Sequence, residues 1–127
     1  MLAEAGAVVV TGGLGGVMEA ASRGAKSRRG TTVGLLPGED RDAANGWVDV
    51  AIATGLGEMR NGLIVRATDA VIAIGGGAGT LSEIALALRT GRPVVGIGTF
   101  EVDGVRQALS AREAVDHALS LATRTAL

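Results

Sequence analysis

Short apolar segments alternate with helix-like patterns along this chain. Five segments of five or six mostly apolar residues predict β-strands, at Ala7–Thr11, Thr32–Leu36, Val48–Ala53, Ala70–Ile74 and Pro93–Ile97. Most of them are rich in β-branched residues and lack a regular polar alternation. This pattern is typical of strands that are covered on both faces of a parallel sheet.

The segments between and after these strands have helical periodicity. The predicted helices are Val17–Arg28, Glu58–Ala67, Thr80–Thr90 and about Ala111–Thr123. The third has apolar positions at i, i+3, i+4 and i+7, namely Leu81, Ile84, Ala85 and Leu88, and the last places Ala114, Val115, Ala118 and Leu121 on one face. The alternation of strands and helices predicts an α/β fold, a doubly wound Rossmann-like parallel sheet with helices on both faces.

The start of the chain differs from the usual opening of such a sheet. Met1–Gly6 resembles the end of a helix that leads directly into the first strand. A Rossmann-like sheet usually opens with a strand and its helix. We therefore expect one nucleotide- or phosphate-binding domain over residues 1–127 that lacks the usual first strand and part of the first helix. A natural shortening, an artificial one, or completion of the sheet by another chain would each explain the pattern.

Composition excludes several classes of function. The 127 residues contain no cysteine, so disulfides, thiolate metal sites and cysteine nucleophiles are excluded. The chain has 12 basic and 13 acidic residues, a balance that argues against a nucleic-acid-binding surface. No apolar run is long enough for a membrane span. We expect a cytoplasmic protein that binds neither membrane nor nucleic acid, and we expect no metal site.

Glycine, with 21 residues, is concentrated at two strand-to-helix junctions. The first loop, Gly12–Gly16, and the second loop, Gly75–Thr80, each follow a predicted strand and precede a predicted helix. Such a loop can direct backbone N–H groups and the positive end of the helix dipole at an anion. A tight turn without a ligand is the alternative, but two such loops in one small domain favour phosphate binding. The predicted contacts are Gly12, Gly13, Gly15, Gly16, Gly76, Gly77, Gly79 and Thr80.

Neither loop matches a standard nucleotide fingerprint. The dinucleotide pattern G-x-G-x-x-G requires a third glycine, where this chain has Met18 in the first loop region and Thr80 in the second. The Gly-Lys-Ser/Thr of a P-loop is also absent. The only lysine, Lys26, lies far from both loops in the sequence, so Schiff-base chemistry is disfavoured.

Three polar residues near these loops are candidates for contact with a ligand. Arg60 lies in the first turn of a predicted helix, where the helix dipole disfavours a cation, so we expect it to contact phosphate or carboxylate unless Glu58 merely offsets it. Asn61 is a further candidate for an amide contact. Thr80 and Glu83 form the T-x-x-E pattern of a helix capping box, which by itself explains both residues. The same position would also put Glu83 beside a bound anion, for acid–base chemistry or contact with a sugar hydroxyl.

Three motifs together resemble one known group of proteins. They are GGLGGVME at Gly12–Glu19, GLGEMRN at Gly55–Asn61 and GGGAGTLSE at Gly75–Glu83. The group is the Rossmann-fold "lysine decarboxylase-like" or Lonely Guy superfamily, and the molybdenum-cofactor carrier branch is the more similar throughout. The resemblance extends over nearly the whole chain.

The resemblance implies a homodimer or homotetramer that binds a phosphorylated small molecule. For a carrier, the ligand would be a nucleotide or the molybdenum cofactor, a molybdopterin-type compound, with no further cofactor required. For a Lonely Guy enzyme, it would be a nucleoside 5′-monophosphate such as AMP, with Glu83 and Arg60 at the catalytic positions. Gly75 stands where those enzymes have proline, and Asn61 where they usually have lysine. These differences favour the carrier over the phosphoribohydrolase, and the single remote Lys26 argues against a lysine decarboxylase.

Overall fold

The computed structural model describes residues 1–125. The strands are β1 Val9–Thr11, β2 Thr32–Leu36, β3 Val50–Ala53, β4 Val71–Ile74, β5 Val94–Ile97 and β6 Val105–Ala108. The α-helices are α1 Val17–Lys26, α2 Arg60–Ala67, α3 Ala78–Arg89 and α4 Ala111–Thr125. The chain forms two compact units, a first unit of residues Met1–Ile64 and a second unit from Val65 onward. Each unit is described by itself below.

The first unit contains a parallel sheet of three strands in the order β1-β2-β3. Val9 is paired with Thr32, and Val33 with Val50, so β2 is the central strand. Leu35 and Leu36 of β2 are buried, as are Ser22 and Ala25 on the packed side of α1. Because all three strands run in the same direction, their carboxyl ends lie at one edge of this sheet.

The second unit contains a parallel sheet in the order β4-β5-β6 with a helix on each face. On one face, Val71 and Ala73 of β4 pack with Ile84 of α3. On the other face, Val95 of β5 packs with Ala118 of α4. Successive side chains of a strand point to opposite faces, so these strands are covered on both sides. The predicted α/β architecture of parallel strands with helices on both faces is confirmed.

Several local predictions differ from the structure. β6 was not predicted because Arg106 and Gln107 are polar and exposed, and only Ala108 of this edge strand is buried. The apolar stripe predicted for α3 does not coincide with its buried face, because Leu81 and Ala85 are exposed, whereas Ala87 is fully buried. The stripe is therefore rotated about the helix axis. The face of α4 that was predicted to carry Ala114, Val115 and Ala118 is buried at these three residues.

Lys26 has a structural role in the first unit. Its Nζ donates hydrogen bonds of 2.9 Å to the carbonyl oxygen of Gly30 and to Oδ2 of Asp49. Asp49 Oδ2 also accepts a 3.0 Å hydrogen bond from the backbone N–H of Thr32. The Lys26 hydrogen bond, followed by that of the Thr32 N–H, lowers the pKa of the Asp49 carboxyl group. The only lysine thus links the end of α1 to the start of β2 and to the residue before β3.

We expect the Asp49 carboxylate to contribute to the pH dependence of folding stability. Because its pKa is lower in the folded state than in the unfolded chain, Asp49 stabilises the fold above about pH 4. This stabilisation by Asp49 is lost as the pH falls through the lowered pKa that its carboxyl group has in the folded state. In urea unfolding at a series of pH values, Asp49→Asn should be less stable than the wild type near pH 7, and the difference should shrink below about pH 4. A difference that is constant with pH would contradict this account.

No helix among residues 1–125 is both long enough and apolar enough to cross a membrane.

Candidate functional site

The first loop joins β1 to α1 and is shaped by close backbone packing. Gly12 and Gly13 are buried, whereas Gly15 and Gly16 are exposed. Gly13 has a φ of +78°, and a β-carbon added there would lie 2.9 Å from Leu36 Cδ2. Its N–H donates a 3.0 Å hydrogen bond to Thr11 Oγ1. Gly13 therefore needs to be glycine for reasons within the fold itself.

The second half of this loop is open. Gly16 precedes α1 as its N-cap residue, with a φ of +68° and no side-chain cap. A β-carbon added at Gly15 or Gly16 would meet no atom within 4 Å. The first N–H groups of α1 have no carbonyl partner within the helix, as at any helix start. The loop thus presents uncapped backbone donors at an exposed surface.

Arg60 lies directly against the first loop. A β-carbon added at Gly12 would collide with the Arg60 guanidinium group, at 2.6 Å from both Cζ and Nη2. Arg60 is only 9% exposed, and Asn61, next to it, is 7% exposed. Both residues also make further interactions within the chain. Gly12 is therefore the residue that leaves room for the arginine at the carboxyl end of β1.

The turn after β3 brings Arg60 to this position. Gly55 and Gly57 both have positive φ values, of +66° and +59°, and a short 3-10 helix over Gly57–Met59 runs directly into α2. Arg60 is the first residue of α2, close to the predicted position. The positive end of the α2 dipole and the guanidinium charge are thus placed together beside the first loop.

The second loop differs from its prediction. α3 begins at Ala78, two residues earlier than expected, so Gly79 and Thr80 lie inside its first turn. The N-cap residue is Gly77, which has an extended conformation and no side-chain cap. The capping-box explanation of Thr80 and Glu83 is therefore wrong, because Thr80 does not stand at the N-cap position. Gly75 has a φ of +82°, while added β-carbons at Gly76 and Gly77 would point into open space.

Glu83 is the sixth residue of α3 and is half-buried. It takes part in an interaction within the chain. The predicted residues thus fall into two groups. Gly12, Gly13, Arg60 and Asn61, together with the exposed Gly15 and Gly16, lie in the first unit. Gly76, Gly77, Gly79, Thr80 and Glu83 belong to one segment of the second unit.

Sequence reasoning missed Asn45. Its Nδ2 donates hydrogen bonds to the carbonyl oxygens of Leu14, at 2.9 Å, and Gly13, at 3.3 Å. Its backbone N–H donates a further 2.8 Å hydrogen bond to the Gly13 oxygen. These contacts span more than 30 positions of sequence, so no local pattern could have indicated them.

The parallel sheets and the glycine loops at the carboxyl ends of β1 and β4 define a Rossmann-like α/β protein with two candidate anion-binding loops. A model of the SLOG cluster4 family matches residues 1–124, and the chain belongs to this family. An uncharacterised protein of Archaeoglobus fulgidus is 45% identical over 121 residues, which cover 94% of this chain and 80% of that protein.

Two solved structures are similar to this chain. The chain is similar to the molybdenum cofactor binding protein of Rippkaea orientalis, with a TM-score of 0.88 and 39% identity over 94% of this chain and 80% of that one. It is also similar to the molybdenum cofactor carrier protein of Chlamydomonas reinhardtii, with a TM-score of 0.85 and 34% identity over 96% of this chain and 82% of that one. These findings agree with the resemblance drawn from the three motifs, at the level of the superfamily and its molybdenum-cofactor carrier branch.

Proposed function

We propose that this protein binds and carries a phosphorylated small molecule, a nucleotide or a molybdopterin-type ligand, through its glycine loops. The observation that supports this most strongly is the position of Arg60. An arginine is always charged, and here its guanidinium group is mostly buried against Gly12, at the start of a loop with uncapped N–H groups. Positive charge and backbone donors at one place favour a bound anion.

The second loop, which lies in the second unit, has features that support the same proposal. α3 starts without a side-chain cap, and Gly76 and Gly77 have neither a positive φ nor a close neighbour that would require glycine. Their lack of a side chain is explained if a ligand approaches the backbone here. Thr80, in the first turn of α3, offers a hydroxyl group as a further contact at the second loop.

The similar proteins are the reason for including the molybdenum cofactor among the ligands. The R. orientalis and C. reinhardtii proteins are described as binding or carrying it. In residues 1–125, no group of three or more His, Asp or Glu side chains is placed to hold a metal ion. The contacts that we propose are to the phosphate of the cargo. Assembly into a homodimer or homotetramer stays a prediction.

The alternative function is hydrolysis of the N-glycosidic bond of a nucleoside 5′-monophosphate. AMP and water would give adenine and ribose 5-phosphate, with Glu83 assisting at the ribose and Arg60 binding phosphate. The match of Glu83 and Arg60 to the two catalytic positions of the Lonely Guy motifs favours this alternative. Gly75 and Asn61, which differ from those motifs, favour the carrier.

One experiment tests the carrier against the hydrolase. The protein is incubated with AMP, ribose 5-phosphate or adenosine, and adenine release and thermal unfolding are both measured. The carrier proposal predicts that the two phosphorylated compounds raise the unfolding temperature, that adenosine does not, and that no adenine appears. Release of adenine that is lost in Glu83→Gln would establish the hydrolase instead. Equal effects of AMP and adenosine would overturn phosphate recognition.

A further inference from the structure

We propose that Asn45 is the positioning residue that turns the first loop into an anion-binding nest. This inference rests on the proposed function, because it concerns how the loop comes to bind phosphate. Asn45 is half-buried and follows the short 3-10 helix at Arg41–Ala43, in the segment that connects β2 to β3. It lies far from the first loop in sequence but contacts it at two successive carbonyl groups.

The orientation of the loop peptides follows from these contacts. No peptide bond among the described residues is cis, so each carbonyl points opposite to the N–H of the same peptide. Asn45 holds the carbonyls of Gly13 and Leu14. The N–H groups of the same two peptides, which belong to Leu14 and Gly15, therefore point away from Asn45. Two successive N–H groups directed to one side form the concave arrangement that binds oxyanions.

These two N–H groups are available to a ligand. Among the described residues, neither the Leu14 nor the Gly15 N–H donates a hydrogen bond within the chain, whereas the Gly13 N–H is used by Thr11 Oγ1. Gly15 is exposed, and an added β-carbon there would meet nothing within 4 Å. The loop therefore presents donors that Asn45 has oriented, and the loop is open to solvent at Gly15.

The Asn45 side chain is also held at its other polar atom, Oδ1. Its Oδ1 accepts a 2.9 Å hydrogen bond from the backbone N–H of Trp47, which identifies Nδ2 as the group that faces the loop. The carbonyl of Trp47 in turn accepts a 2.6 Å hydrogen bond from Thr32 Oγ1, at the start of β2. The orientation of the nest is thus tied to the central strand of the first sheet.

The test compares two variants of Asn45. Asn45→Ser can keep a weaker turn to the Trp47 N–H but is too short to hold the Leu14 carbonyl, whereas Asn45→Ala loses both side-chain contacts. The backbone N–H of residue 45 still holds the Gly13 carbonyl in both variants, so the Leu14 carbonyl is the one released. Ser27→Ala is the matched control, since Ser27 Oγ donates a 2.6 Å hydrogen bond to the Gly24 carbonyl near the other end of α1. Backbone amide signals in ¹H–¹⁵N spectra are followed during titration with inorganic phosphate.

In the wild type and in Ser27→Ala, phosphate should shift the amide signals of Leu14 and Gly15. In both Asn45 variants we expect the dissociation constant read from these signals to rise by about tenfold, the effect of losing one well-made hydrogen bond. The signals of Gly76 and Gly77 in the second unit should respond to phosphate as in the wild type. If Asn45→Ala does not fold, Asn45→Ser carries the comparison.

The possible outcomes distinguish the positioning role of Asn45 from phosphate binding itself. A wild-type response of Leu14 and Gly15 in Asn45→Ser would overturn the positioning role of Asn45 and leave phosphate binding intact. An absent response of both loops in the wild-type protein would overturn the proposed function itself. Loss of the response at Leu14 and Gly15 alone, in a folded variant, would support the inference.

Discussion

Replacing Arg60 with alanine should weaken the binding of inorganic phosphate and of AMP by about 10- to 150-fold, because a charge-assisted hydrogen bond contributes about 1.5–3 kcal/mol. The loss should be large because the guanidinium group is mostly buried beside the first loop, where solvent screens its charge little. Arg60→Lys should show a smaller loss, since lysine keeps the charge but not the planar fork of donors. Titration calorimetry measures all of these affinities.

Arg66→Ala is the control for this prediction. Arg66 belongs to the same helix but is exposed and lies in its last turn. Its replacement should leave phosphate affinity unchanged, while thermal unfolding shows whether each variant is folded. Wild-type affinity in a folded Arg60→Ala protein would remove Arg60 from the site.

Gly12→Ala should also weaken phosphate binding strongly. The added methyl group would occupy the space of the Arg60 guanidinium group and would force it away from the first loop. Since Gly12 has no positive φ and the colliding atoms are the end of a flexible side chain, we expect the fold to lose about 1 kcal/mol or less. Phosphate affinity, in contrast, should fall about as much as in Arg60→Ala.

A double-mutant cycle tests the cause of that effect. If Gly12 acts by admitting Arg60, the double variant Gly12→Ala/Arg60→Ala should bind phosphate no more weakly than Arg60→Ala alone. Gly24→Ala, at an open position within α1, is the matched glycine control, and it should stabilise the protein slightly without affecting phosphate binding. Additive losses in the double variant would show that Gly12 acts independently of Arg60.

Much of the fold could be predicted because its strands are apolar and β-branched. β2 was predicted to the residue at Thr32–Leu36, and the other four predicted strands begin one or two residues later than expected. β6 could not be predicted, because an edge strand with Arg106 and Gln107 on its surface has no apolar run. A pattern of apolar residues indicates burial, whereas this strand is recognised in the structure by its pairing with β5.

The candidate site was predictable only where its residues are local in sequence. The glycine loops and Arg60 were found from motif position and helix-dipole reasoning. The early start of α3 was missed because Gly77 caps the helix with its backbone conformation alone, and Thr80 offered a more familiar capping residue. Asn45 was missed because its role depends on a contact that only the folded sheet creates.

A crystal structure of the protein with AMP or a molybdopterin-type ligand would show whether the first loop and Arg60 bind the phosphate group. We expect phosphate oxygens at hydrogen-bonding distance, about 2.7–3.2 Å, from the N–H groups of Leu14 and Gly15 and from the Arg60 guanidinium group. A phosphate group bound elsewhere, with the first loop and Arg60 making no contact to the ligand, would contradict it.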